Sequence, residues 1–219
     1  YQPVIADNGL TLVTASLVNK NPVDNKAIVD SYLDWVGEGP TLDSIKQFMT
    51  SYARTLIEPL IAYIQDYGIA LEAHMQNTIV NLGPNYQMKF IVRDLGGSRI
   101  DLATLQSIKP GIDVTNTSLL SDNIEAVIGK FQHAVIQNQI AELIHHFSNY
   151  EQVEESRMYK IVGDILYEAI DPNKPHAQAL KEVLFGEKIT VKALLRMRME
   201  SKVKQYVTID LRNPIFKEV

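Results

Sequence analysis

The sequence predicts an α+β chain that is mainly helical, with one small antiparallel hairpin between a long helix and a helical tail. Three observations predict it. Apolar residues recur at helical spacing over residues 45–64 and again over 124–147, each marking one buried stripe. Two short β-rich runs, Thr78-Ile-Val-Asn-Leu82 and Met88-Lys-Phe-Ile-Val92, flank a turn signal at Gly83-Pro-Asn85. Residues 107–122, with Pro110, Gly111 and many Thr, Ser and Asn, read as a loop. That loop sets the expected division into a hairpin-bearing portion, 1–106, and a C-terminal helical portion, 107–219.

Element by element, Leu10-Thr-Leu-Val-Thr14 reads as a short strand after an Asp7-Asn-Gly9 turn, and residues 19–24 as a loop. Residues 27–36 form a helix whose Trp35, the single tryptophan, is expected in the core; Gly37-Glu-Gly-Pro40 ends it. Thr41 or Asp43 then caps the long helix, which Pro59 should kink or divide and Gly68 should end. After the hairpin, residues 123–149 predict one long helix or two, and 151–169 another, stopped by Asp171-Pro-Asn173. A short helix over 176–185 ends at Gly186, and 190–203 reads as an amphipathic helix, basic on one side. The tail Leu211-Arg-Asn-Pro214 is extended before its proline.

Composition narrows the function. With 219 residues, 46% hydrophobic and 21% charged, the chain has enough material for one sizeable core. A net charge of −5 with no long basic run argues against a nucleic-acid partner. No apolar stretch approaches the roughly 18 residues needed for a membrane span, and no secretory leader is visible, so the cytoplasm is the expected compartment. Zero cysteines excludes disulfides, Cys-ligated zinc and iron–sulfur clusters held by this chain. Because the chain opens on Tyr1 and runs straight into an extended segment, it is expected to be a piece of a longer protein.

The hairpin's open end carries the chemistry. A strand pair that folds back brings its outer ends together, so Asn77 and Asp94 are expected side by side. An amide oxygen and a carboxylate are hard ligands that suit Mg²⁺, which takes its other ligands from water and nucleotide phosphates. Protein kinases arrange an Asn and a strand-end Asp in this way over ATP. Taken alone, Asn and Asp-x-Gly at strand ends are ordinary turn residues. Density tips the balance: Glu72, His74, Gln76 and Asn77 put four polar groups between an apolar helix and an apolar strand. A segment entering a core rarely carries so many without a ligand, since each unpaired buried one costs about 1–3 kcal/mol. The expectation is a Mg·nucleotide site.

Other constellations carry less. Glu142-x-x-His145 has di-iron spacing but lacks the companion ligands, so it reads as a surface cluster. The basic side chains Lys188, Lys192, Arg196, Arg198 and Lys202 read first as a solvated face, and second as a seat for an anionic ligand. Gly96 and Gly97 precede no Walker lysine.

Tyr67-Gly-Ile-Ala-Leu-Glu-Ala-His-Met-Gln-Asn77 followed by Lys89-Phe-Ile-Val-Arg-Asp-Leu-Gly-Gly97 resembles the signature of the NRPS-independent siderophore synthetases, the aerobactin-synthetase type. The resemblance extends to Ala15-Ser-Leu17, Pro22, Lys192-Ala-Leu-Leu-x-x-Arg198 and Asn213-Pro214, and is loose over 107–190. It implies the palm of a cupped-hand fold and an enzyme that adenylates citrate or a citrate derivative with Mg·ATP, then condenses it with an amine or alcohol. It implies that His74 and Gln76 contact the nucleotide, that Glu72, Asn77 and Asp94 hold Mg²⁺, and that Arg93 positions its neighbour or a phosphate. Lys192 and Arg198 would meet substrate carboxylates, and a homodimer is implied. The family's upstream phosphate-gripping residues and catalytic His find no counterpart in this sequence, so the principal catalytic residues are unassigned and the chain alone is expected to be inactive. Ferric-siderophore reductases sometimes grouped with this region need cysteines that are absent here.

Two other readings stay open on the residues themselves. One is a kinase-like phosphotransferase, although no Asp stands just before Asn77 to act as base. The other is a non-catalytic helical binding module.

Overall fold

A computed structural model describes residues 9–192 and 208–218. Strand β1 (Leu10–Val13) leads through a 3₁₀ turn to α1 (Ile28–Trp35), and α2 (Leu42–Tyr67) follows. Thr41 caps α2 as predicted: its hydroxyl accepts from the Ser44 amide and Ser44 returns the bond in a capping box. Gly68, in the left-handed region at φ 66°, ends the helix, also as predicted. A Cβ there would lie 2.7 Å from Thr104 Cβ, so both conformation and space require glycine. Pro59 does not divide α2. It sits on the exposed face, where water can satisfy the Thr55 carbonyl that loses its helical donor.

Trp35 corrects a second expectation, being 54% exposed. The buried stripe of α1 is Val29, Tyr32 and Leu33, and Trp35 falls about a third of a turn away from it. It packs instead on the edge of Tyr32, ring centroids 5.9 Å apart.

Strands β3 (Thr78–Leu82) and β4 (Met88–Val92) form the predicted hairpin, with Thr78 opposite Val92 and Leu82 opposite Met88. β1 adds antiparallel to β3, giving the order β1-β3-β4. Short strands β2 (Ile69–Ala70) and β5 (Arg99–Ile100) pair as a separate two-stranded sheet, and α3 (Leu102–Ile108) follows β5.

Residues 124–147 make one uninterrupted helical run: α4 (Ile124–Phe131), a π-helical segment (Gln132–Ile140) and α5 (Ala141–Phe147). Then come α6 (Glu155–Ala169) and α7 (Ala177–Phe185). The end of the chain departs from expectation. Lys188–Lys192 is strand β6, paired antiparallel with β7 (Thr208–Arg212), where a helix from residue 190 is predicted. The alternation of Lys188, Ile189, Thr190, Val191 and Lys192 has the period of a strand. Residues 193–203 of that predicted helix lie outside the described residues.

Buried apolar side chains from Leu17 to Met88 and from Val127 to Ile215 form one continuous cluster. Its centre is the α2 stripe, where Phe48 and Tyr52 stack at 5.6 Å and Phe147 meets Phe48 edge-on at 5.8 Å. Asp30, buried in α1, accepts from His146 of α5 at 3.0 Å and ties the first helix to that centre.

Candidate nucleotide site

Between β2 and β3, residues 71–77 have no strand partner: 71–74 are irregular and 75–77 form a turn, closed by the Asn77 amide donating to the His74 carbonyl at 2.9 Å. Ala73 and Met75 point into the core at 0% and 7% exposure. Glu72, His74 and Gln76 point the other way, toward solvent and the cleft.

The predicted residues from 72 to 94 each have a definite place. His74 Nδ1 accepts from the Gln76 backbone amide at 3.2 Å, which leaves the donor role to Nε2. The Gln76 side chain is exposed, and the residue's backbone carbonyl accepts from Arg93 Nη2 at 2.9 Å and Nε at 3.3 Å. Arg93 therefore clips the loop to the end of β4. Its amide donates to the Asn77 carbonyl at 2.8 Å, so the ladder continues one step past the hairpin and sets Asn77 opposite Arg93. Asp94 comes next. Its backbone turns left-handed at φ 57°, and its Oδ1 accepts from the Gly96 amide at 3.4 Å, capping the turn Leu95–Gly97. Aspartate tolerates this conformation better than most residues. Lys192 is the last residue of β6, and Arg198 lies outside the described residues.

Glu72 joins the two motifs. Its carboxylate lies against Gly97, where a Cβ would fall 1.6 Å from Oε2, so only glycine admits it. Lys130 of α4 donates to Glu72 Oε1, and both side chains are largely buried, 17% exposed for the lysine and 24% for the glutamate. Burial alone would raise the Glu72 pKa. The Lys130 ammonium, with smaller help from His74 and Arg99, outweighs burial and holds the carboxyl below its ordinary value. This corner opens on a cleft of about 810 Å³ lined by Gly96, Gly97, Arg99, Lys130 and Lys188. Among the described residues, no three His, Cys, Asp or Glu side chains converge as a metal site.

Lys130 and Arg99 were not legible as site residues. Lys130 stands 58 residues from Glu72 in a helix that otherwise reads as core, and no local motif marks it.

Comparison with known proteins decides the family. A family model described as "Ferric iron reductase FhuF-like transporter" matches residues 46–207. Staphyloferrin A synthase of Staphylococcus aureus is 63% identical over 218 residues, which is all of this chain and 37% of that protein. The chain belongs to the NRPS-independent siderophore synthetases. D-ornithine–citrate ligase of the same organism is 28% identical over 94% of the chain and 34% of its own length. ATP-bound aerobactin synthetase IucA from Klebsiella pneumoniae superposes with a TM-score of 0.76 over 95% of the chain and 37% of that structure. At 19% identity this likeness shows the fold. The chain thus spans a little over a third of the synthetases it matches. No described helix is long and apolar enough to cross a membrane.

Proposed function

We propose that this chain supplies the nucleotide-proximal part of an ATP-dependent ligase, which activates a carboxylate of the citrate class as an acyl adenylate and condenses it with an amine or alcohol. The observation that most supports this reading is the meeting of the two motifs: Glu72, seated on Gly97 and neutralised by Lys130, ties loop 71–77 to the end of the hairpin. The 63% identity to a siderophore synthase, over the whole chain, favours the same chemistry.

In this reading His74 Nε2 and the Gln76 side-chain amide contact the nucleotide, and Arg93 holds the loop edge with its charge toward the phosphates. Asn77, Asp94 and Glu72 form the set for Mg²⁺. Their oxygens are hard donors, and one or two carboxylates with waters and phosphates is the usual Mg²⁺ complement, so the residues fit the ion. When bound, Mg²⁺ offsets the charge of the polyphosphate. That charge is the obstacle: an incoming carboxylate at ~4 Å is repelled by about 4 kcal/mol per charge pair at an effective dielectric near 20. Arg93, Arg99 and Lys130 add fixed positive charge beside the site, and preorganised charge is commonly the largest catalytic contribution. Lys192 and Arg198 are assigned to the substrate carboxylates. The activity is placed in the longer protein, as a cytoplasmic homodimer.

The test uses the full-length protein with Mg·ATP, citrate and hydroxylamine. AMP and a hydroxamate appearing together are the expected result. ADP in place of AMP would overturn the reading in favour of a phosphotransferase, and nucleotide-independent behaviour across a panel of carboxylic acids would reduce the chain to a binding module.

A further inference from the structure

The loop that carries the site has no strand beside it, so its backbone polar groups need other partners. They find them in side chains of the π-helical segment. Gln139, 0% exposed, donates from Nε2 to the Ala73 carbonyl at 3.2 Å, and its Oε1 accepts from the Thr14 hydroxyl at 2.6 Å. Asn138 Oδ1 accepts from the Met75 amide at 3.3 Å. The Met75 carbonyl accepts from the Ala15 amide at 3.1 Å, with the Thr14 hydroxyl also 2.8 Å away. Ala73 and Met75 are thus gripped from behind, which leaves Glu72, His74 and Gln76 on the more exposed side.

A buried amide among Val135, Ile136, Ile140 and Leu143 is costly unless bonded, and an apolar residue would fill the same stripe. The neighbouring polar residues of the segment are spent on the far wall of the cleft: Gln132 donates to the Val183 carbonyl at 3.2 Å and Gln137 to the Thr190 carbonyl at 3.3 Å. The wide i→i+5 turn is the local feature that departs from α-helix, and such segments recur at functional sites.

We propose that Gln139, assisted by Asn138 and Thr14, is a positioning residue that sets the register of loop 72–77, and through it the aim of Glu72 and His74. The proposal rests on the ligase reading for its kinetic consequence, but the register itself is measurable without it.

The experiment compares Gln139→Leu with Gln65→Leu in the full-length protein. Gln65 is a matched control, 1% exposed and bonded to the Asp171 and Pro175 carbonyls at 2.9 and 3.3 Å, away from loop 71–77. Amide hydrogen exchange over 72–77, thermal stability and the kinetics of AMP formation are read for each. Gln139→Leu is expected to speed exchange in the loop and to lower kcat by about tenfold or more, since small misplacements near the chemistry are expensive. Gln65→Leu is expected to lose comparable thermal stability while kcat stays within about twofold. Unchanged exchange over 72–77, or kcat losses that track thermal stability equally in both variants, overturns the proposal. A wild-type protein that makes no AMP refutes the ligase reading, and the exchange data then decide the positioning role alone.

Discussion

The two ends of the β3–β4 hairpin are built from the same strands and put to opposite uses. At the turn end, the Tyr32 hydroxyl donates to the Gly83 carbonyl at 2.8 Å, and Tyr86 lies 8% exposed with its ring 6.3 Å from that of Tyr32. Asn85 and Tyr86 both have positive φ, 55° and 58°. Strain of that kind persists only where packing over-determines it, and here the aromatic cluster does so. At the open end, Arg93, Asp94, Leu95 and Gly96 are exposed, and the one left-handed residue is an aspartate, which carries the conformation without aromatic support. Hydrogen-bonding capacity is spent at one end and left available at the other. Stability and ligand chemistry are thus segregated along five residue pairs, Thr78–Val92 to Leu82–Met88. Changes at the open end should alter turnover and spare folding; changes at the turn end should do the reverse.

The largest expected effect tests the open end directly. Asp94→Asn, which keeps the left-handed turn, should in the full-length protein lower AMP formation by about 10²-fold or more, the scale for losing one preorganised charge-stabilising group. Thermal stability should hardly move, because the exposed Asp94 carboxylate makes only a 3.4 Å contact to Gly96. Near-normal turnover with unchanged Mg²⁺ dependence would refute its assignment.

Lys130→Met comes next and crosses the boundary, since the Lys130–Glu72 pair is both buried and part of the site. Removing the ammonium leaves a largely buried carboxylate uncompensated, at a cost of about 1–3 kcal/mol near pH 7. The pH dependence has a fixed sign. The folded protein holds the Glu72 pKa below its ordinary value of 4.5, so the pair's contribution is present above about pH 4.5 and is lost as pH falls through the lowered value. Denaturant titrations of both proteins should therefore show a gap at pH 7 that narrows toward pH 3. A gap of constant size would mean that Lys130 acts through its aliphatic packing.

The turn end and both strands were legible in the sequence, residue for residue. Runs of β-branched and aliphatic residues and Gly83-Pro-Asn85 are local signals, as are the Thr41 cap and the Gly68 stop. The polar density at residues 72–77 and 93–97 was equally local, which is why those positions could be named as a site. What escaped depends on distance in sequence or on competition between patterns. Lys130 meets Glu72 only through the packing of α4, and Gln139 meets Ala73 only because the π-helical segment lies behind the loop. Trp35 was read as core from its residue type, although helical spacing within α1 puts it off the buried stripe. Residues 188–192 fit a strand and a basic helix comparably well in isolation, and pairing with β7 decided between them.

Gly97→Ala sharpens the open end further. The added methyl would occupy the Glu72 carboxylate's position, but the atoms it displaces are the far end of a flexible side chain. Glu72 should swing off Lys130 with little disturbance of the backbone, so stability should fall by less than in Lys130→Met. Turnover should drop about tenfold if the seat of Glu72 matters to the reaction. A crystal structure of the variant with Glu72 still bonded to Lys130 would contradict the account of why a glycine stands there.

The smallest effect belongs to the turn end. Burial pushes the Tyr32 hydroxyl up to about 12, partly offset by a hydrogen bond from the Tyr86 backbone, so it remains a donor to Gly83 throughout the usable pH range. Tyr32→Phe keeps the ring, and with it the contacts to Phe48 and Tyr86 at 5.9 and 6.3 Å, but orphans the Gly83 carbonyl. One neutral hydrogen bond of this type contributes about 1 kcal/mol, which denaturant titration resolves as a lower midpoint at unchanged m-value. AMP formation should stay at the wild-type rate, since the hairpin's five pairs stand between Gly83 and Asn77. A loss of turnover larger than the loss of stability would show that the two ends are mechanically coupled and that the segregation drawn above does not hold.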